Sequence, residues 1–327
     1  MREPMPRLLV AAAAALLALA AIPAAAQAPY PSKPLRFIVP FPPGGATDII
    51  TRVIAQKLSE QVGQPVIVEN RPGAGGAIGS DLVAKAASDG YTLLMATTST
   101  HSIGPTLNPK TPYNVERDFA PVSELATSTN VLVVSPALGV GSVKELIAAA
   151  KARPGQLNFA SSGTGTIVHL TGELFKSMAG IDVVHVPYKG TALAQPDLMS
   201  GQVSMIFDNI VSAMPNLKAG KVKALAVTGR KRSALLPELP TVSEAGVPGF
   251  ASDAYFAVFV PAATPRPIVE RLNAELVKAL QNPEVREQLA RQGAEPVGGT
   301  PAALAATVKA ETEKWARVIK QANVKLE

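Results

Sequence analysis

The chain has 327 residues, 31 Lys plus Arg against 25 Asp plus Glu, a formal charge of +6, and no cysteine. The missing thiols exclude disulfides, thiolate metal sites and cysteine nucleophiles together, so the folded chain must rely on packing. Its basic excess reads as solubility charge before it reads as a device for attracting anions, and no Lys/Arg-rich run interleaved with aromatics points to a nucleic-acid partner.

Arg2 and Arg7 precede an Ala/Leu-rich apolar run over residues 8–22, and Ala24 and Ala26 then fit an A-x-A cleavage site before Gln27. Residues 1–26 are therefore expected to be a cleaved signal peptide, since a run of about 15 residues falls short of the roughly 20 that a membrane-spanning helix needs. No cysteine follows for lipid attachment. The remaining chain of about 300 residues is expected to be a soluble exported protein, and by size to form two domains.

Residues 35–39 read as a strand that runs into Pro40-Phe41-Pro42-Pro43-Gly44-Gly45-Ala46-Thr47-Asp48, and residues 49–62 repeat apolar positions at helical period. Proline fixes φ and removes a donor, whereas the Gly-Gly pair lets main chain approach a bound group. A helix start marked by Thr47 and Asp48 then offers free N–H groups and the positive end of the macrodipole, a place for a carboxylate or phosphate. A strand over 66–68, a Gly-rich turn with Gly73, Gly75 and Gly76, a helix over 77–86 and a strand over 92–96 follow. The last strand ends in the hydroxyl-rich run Thr97 to Ser102, with His101 in it. Such β-α alternation argues for a mostly parallel sheet with ligands beyond the carboxyl ends of its strands.

Residues 119–134 read as extended, after which the plan repeats: a helix over 143–152, a strand over 157–160, the Gly/hydroxyl turn Ser161-Ser162-Gly163-Thr164-Gly165-Thr166, and a helix over 167–178. A strand over 183–186 ends at Tyr188-Lys189, another over 205–207 ends at Asp208, and a third covers 222–227. An extended run over 255–260 leads to three helices over 268–280, 284–292 and 302–323, with Pro267, Pro283 and Pro301 at or near their starts. The expected fold is α/β and two-lobed, each lobe a mostly parallel sheet flanked by helices, with residues 27–127 and 256–327 in one lobe and 128–255 in the other. The crossings near 125–135 and 250–258 are candidate hinges.

Several of these segments carry a resemblance: Pro40 to Gly45 with Asp48, Glu69-Asn70-Arg71-Pro72-Gly73-Ala74-Gly75-Gly76, Asp89-Gly90-Tyr91-Thr92-Leu93, Ser161 to Gly165, Val186 to Gly190, and Leu239-Pro240-Thr241 with Glu244 and Gly246. Together and in this order, the chain resembles the Bug-type periplasmic solute-binding receptors of tripartite tricarboxylate transporters. The resemblance implies a two-domain, hinge-bending binding protein that holds a small carboxylated solute between its lobes and delivers it to membrane subunits; a monomer is expected. It also implies a carboxylate held by main-chain N–H groups, hydroxyls and water. The matching candidates are Gly44, Gly45, Ala46, Thr47, Asp48, Gly75 and Gly76 on one lobe, and Ser161, Ser162, Gly163, Thr164, Gly165 and Thr166 on the other.

Other readings compete residue by residue. Asp48 either caps its helix or chooses among solutes. Lys189 could pair with a second carboxylate, Asp208 could meet a ligand amine or cap a turn, and Phe41 and Tyr188 could cover an apolar part of the solute. Ser161 or Ser162 with His169 could make an exported serine hydrolase, but no G-x-S-x-G surrounds them. The turn from Gly73 has Ile78 where a dinucleotide fingerprint needs glycine, and His101, His169 and His185 lack metal spacing, so no cofactor or metal is expected. Trp315 reads as core of an amphipathic helix.

Overall fold

The computed structural model describes residues 30–324, and the expected signal peptide lies outside them. The chain divides after Ser32, and its larger part begins at Lys33. Within that part, strand β1 (Leu35–Val39), helix α1 (Ala46–Val62), β2 (Val66–Asn70), α2 (Ala77–Ala84) and β3 (Thr92–Thr97) follow one another, with β1 parallel to both β2 and β3. The apolar run of β1 is buried on both faces, as a strand covered by helices on both sides requires. Ile50, Ile54 and Leu58 recur every four residues on α1 and are all fully buried against it.

The long strand β4 (Phe119–Val134) is the spine of the molecule. Its first part pairs antiparallel with β9 (Asp253–Pro261), which itself pairs with β3. Its last part pairs with β7 (Met205–Asn209) and β8 (Lys223–Val227). Between them run α3 (Val143–Ala152), β5 (Asn158–Ser161), α4 (Ile167–Ala179), β6 (Val184–Pro187), α5 (Thr191–Ser200) and α6 (Ile210–Lys218). The strand order is β2-β1-β3-β9-β4-β7-β5-β6, with β8 and β10 (Ala294–Pro296) also on β4. Helices α7 (Arg266–Gln281), α8 (Pro283–Gln292) and α9 (Pro301–Gln321) finish the chain, each with proline in its first turn as expected.

The sheet thus has two halves with separate cores. Ile38, Leu94, Tyr113 and Phe259 belong to one, and Leu132, Phe159, Phe175, Phe207 and Phe250 to the other. This is the two-lobed α/β architecture of periplasmic binding proteins. Where β4 passes from one half to the other, Asn130 exchanges hydrogen bonds with Thr228, whose main chain in turn pairs with Ser252.

Two helices are not announced by the hydropathy pattern. Pro196 lies inside α5 and Pro215 inside α6, and interior proline is a helix-breaking signal because it removes one hydrogen bond and crowds the preceding turn. Both survive because burial of Ala194 and Leu198, and of Ile210, Val211 and Met214, compensates. The strand β10 is three residues long and likewise leaves no pattern to read.

Candidate functional site

Four helix N-termini meet at one cavity. Gly45, Ala46 and Thr47 from α1, Ile167 and Val168 from α4, Thr191 and Ala192 from α5, and Asn209 and Ser212 from α6 all line it. Thr97, Ser99, Asn130, Ser162 and Asp208 add polar groups, and Phe41, Pro42 and Phe256 add apolar walls. The space is about 60 Å³, room for a few waters on a scale where one needs roughly 10–15 Å³. No Lys, Arg or His lines it. Anion affinity must therefore come from helix-end N–H groups and dipoles, hydroxyls and amides.

The α1 start differs from the sequence expectation by one turn. Its cap is Gly45, in extended conformation and without a side-chain bond, so Thr47 and Asp48 lie within the first turn rather than before it. Asp48 is buried and its oxygens are taken. Gly44 N–H donates to Oδ2 at 3.0 Å, Asn70 Nδ2 to Oδ1 at 3.0 Å, and Arg52 Nε to Oδ2 at 3.0 Å. Burial alone would raise its pKa, but these bonds and the Arg52 charge together hold the carboxyl below the usual carboxylate range. Asp48 braces the helix start, and Gly44 serves that brace.

The turns around Gly75 and Gly163 come together at a second opening beside the first. Gly75, Gly76, Gly163, Thr164, Tyr188 and Lys189 line it, with Phe41 and Ser162 shared between the two. Gly75 has φ +63°, and a Cβ there would stand 3.0 Å from the Thr164 carbonyl oxygen, so glycine permits both the left-handed turn and the contact between halves. At Gly190 a Cβ would stand 2.9 Å from Pro42 ring carbons, another close approach across the cavity mouth. Tyr188 turns its hydroxyl to Asp197. Gly165 faces the neighbouring hollow at Leu107, while Thr166 caps α4 by accepting the His169 N–H and also donates to the Gly163 carbonyl at 2.7 Å.

His101, expected at the ligand edge, lies elsewhere. The turn Ser99–Ile103 is a π-helical loop that carries its ring away from the cavity and into contact with Phe259 and Phe119, at centroid distances of 4.4 Å and 4.8 Å. Burial pushes its pKa down to about 3. From the same loop Ser99, not singled out in the sequence, reaches the site: its Oγ accepts the Ile167 N–H at 2.9 Å and ties the first half to the α4 start.

Ser161 is fully buried, and its Oγ lies 2.6 Å from His185 Nε2 while accepting the Gly163 N–H at 3.1 Å. His169, the expected base, instead accepts the Gly165 N–H on Nδ1 at 3.1 Å and stacks on His185 at 4.0 Å. The nearest carboxylate, Glu173, is 3.9 Å from His169 and none is bonded to His185. Burial lowers both imidazoles, to about 3 for His169 and about 4 for His185. The two rings and Ser161 act as scaffolding for the 161–166 turn.

Asp208, at the end of β7, is fully buried yet lines the cavity. It accepts from Asn209 N–H at 2.8 Å, Ser212 Oγ at 2.5 Å and Gln195 Nε2 at 2.6 Å, and Thr191 also hydrogen-bonds to it. Burial without a cation pushes its pKa up to about 6, despite those bonds. Asn130 is the other polar group of note, fully buried, with its Oδ1 lacking a hydrogen-bond partner. Asn130, Thr191, Asn209 and Ser212 carry no sequence flag of their own. The signal that could have found the last three is positional: each lies where a strand gives way to a helix, after Gly190 or Asp208. Among the described residues no cluster of side chains could hold a metal ion and no helix is long and apolar enough to cross a membrane.

A two-lobed α/β fold with a cavity walled by helix starts defines a solute-binding receptor. The family model described as "Tripartite tricarboxylate transporter family receptor" matches residues 50–324, and the chain belongs to that family, among its Bug-type members. The protein BugT of Bordetella pertussis is 42% identical over 298 residues, covering 91% of each chain. Among solved structures, Rpa4515 of R. palustris with adipate is 39% identical with a TM-score of 0.89, over 90% of this chain and 99% of that one. MatC of Rhodopseudomonas palustris with bound malate is 35% identical with a TM-score of 0.85, over 89% and 100%. The family's proteins are receptors rather than enzymes.

Proposed function

We propose that this chain is the extracytoplasmic receptor of a tripartite tricarboxylate transporter, capturing a small di- or tricarboxylate in the cavity between its halves and delivering it to the membrane subunits. The observation that carries this reading is the convergence of four helix N-termini on a cavity without a cationic side chain. Such a site suits a carboxylate, because N–H groups and hydroxyls donate to it without the desolvation cost of a buried Lys or Arg. The relatives with adipate and malate support the same ligand class. In this reading residues 1–26 direct export and are removed, and the receptor works as a monomer without nucleic acid.

The lobes of this proposal are residues 27–127 with 256–327, and 128–255. The junction Asn130–Thr228–Ser252 then acts as the hinge, and the contacts of Gly75 with Thr164 and of Gly190 with Pro42 form on closure. The test is calorimetric titration with adipate, malate and a tricarboxylate against the Gly45→Val variant. Gly45 is extended, and a Cβ there meets nothing closer than 4.0 Å, so the fold tolerates valine while its methyl groups enter the cavity. The expected result is saturable binding by the native chain and at least about a hundredfold loss in the variant, equivalent to about 2.7 kcal/mol. Unchanged affinity in Gly45→Val would remove the helix-start site from the account.

A further inference from the structure

The solute cavity contains one ionisable side chain and no counter-charge for it. Asp208 is fully buried at the cavity wall. The groups that face it are Thr191 and Gln195 from α5, Asn209 and Ser212 around the start of α6, and its strand partner Val131 on β4, none of them titratable. His169, Glu173 and Lys176 sit on α4, Asp197 on α5 and Lys218 on α6, all helices packed against β7, and none of them hydrogen-bonds to Asp208. Gln195 is itself oriented as a donor, because Asn216 Nδ2 occupies its Oε1 at 3.0 Å.

We propose that solute capture is proton-coupled at Asp208: a carboxylate enters the cavity together with one proton from solvent, which is taken up on the Asp208 carboxyl. This rests on the carboxylate-receptor reading above. Two carboxylates in one small cavity with no cation repel, and the pair relieves the repulsion by holding one proton. The surroundings are built to accept that change. Ser212 Oγ has one hydrogen and two acceptors, Asp208 Oδ1 at 2.5 Å and the Asn209 carbonyl at 2.9 Å. With Asp208 ionised the hydroxyl donates to it. With Asp208 protonated the hydroxyl turns to Asn209 and accepts the new O–H, so no buried group loses its partner. The upward displacement of the Asp208 pKa by burial places the free site within reach of protonation near neutral pH.

Proton coupling separates this site from one that merely tolerates a carboxylate. A fixed anion would exclude the solute, and a fixed cation would bind it without regard to pH. Asp208 makes the affinity follow the proton concentration, so the bound form carries one charge less than the sum of its parts.

Calorimetric titration of the intact protein with adipate at pH 7.5, in HEPES and in Tris, reads the coupling directly, because the two buffers differ in ionisation enthalpy. The expected result is a buffer-dependent heat corresponding to net proton uptake of up to one per solute, and an affinity that rises up to tenfold for each unit of pH lowered from 8 towards 6. Asp208→Asn, whose folding is checked by thermal unfolding, should lose both the proton uptake and the pH dependence in whatever adipate binding it retains, and Ser212→Ala should weaken the uptake. Saturable binding with equal heats in both buffers and a flat pH profile overturns the proton coupling and leaves the receptor reading standing. Undiminished uptake in a folded Asp208→Asn chain assigns the proton elsewhere and also overturns it. Failure of adipate, malate and citrate alike to bind the native chain overturns both.

Discussion

Asp48 is 4% exposed, and each of its oxygens already has a partner in Gly44, Asn70 or Arg52. A carboxylate so engaged orients the Pro-Pro-Gly-Gly loop above α1 and keeps its own charge off the cavity. Asp48→Ala should therefore lower unfolding stability by about 1–3 kcal/mol, since it leaves those donors without their acceptor. Urea denaturation should show a lower midpoint with an unchanged slope. The sequence left its role as cap or selector open, because both need an acidic residue in the first helical turn. The positions of Arg52 and Asn70, one turn on and one strand away, are what engage its oxygens. His101 shows the converse limit. A histidine in a hydroxyl-rich loop looks like a ligand, and nothing in residues 97–102 announces the π-helical turn that sends it to Phe119 and Phe259.

At the scale of elements, α4 lies so close to β5 that a Cβ on Gly172 would run into the Phe159 ring. Gly172→Ala should overpack that contact and destabilise the fold by about 1–3 kcal/mol, visible as a lower calorimetric melting temperature. The effect should be on stability far more than on solute affinity, the reverse of Gly45→Val. The strands other than β10 and the helices α1, α4, α7, α8 and α9 were legible because apolar residues recur at the period of the element, with proline or glycine at the ends. The site was half legible for the same reason. Two of its four helix starts follow Gly/hydroxyl turns that read as anion cradles, while the starts of α5 and α6 were hidden behind Pro196 and Pro215.

The whole molecule holds its three histidines neutral. Burial depresses His101 and His169 to about 3 and His185 to about 4, from an ordinary value of 6.5. As pH falls below about 6.5 the unfolded chain takes up protons that the folded chain refuses, so each histidine removes stability progressively down to its own folded value. Asp208 works the other way, because its raised value of about 6 means that the folded chain protonates first as pH falls. Glu124 and Asp253, also raised by burial, act in the same sense as Asp208, but between pH 7 and pH 5 the three histidines dominate, and the melting temperature should drop. His101→Phe, which suits the aromatic surroundings, should flatten that slope by about one proton's worth, measured by scanning calorimetry across the range.

The proposed closure would join these scales: the Gly190–Pro42 and Gly75–Thr164 approaches stand beside the cavity where the four helix starts meet. The measurement that tests this most directly is a crystal structure of the protein with whichever of adipate, malate or citrate raises its melting temperature most. The account predicts a carboxylate within hydrogen-bonding distance of the main-chain N–H groups at Ala46 and Thr47, with Asp208 close by and no Lys or Arg in contact. A solute bound through Lys189 at the outer opening, or in the separate hollow lined by His101, Tyr113 and Phe259, would contradict it.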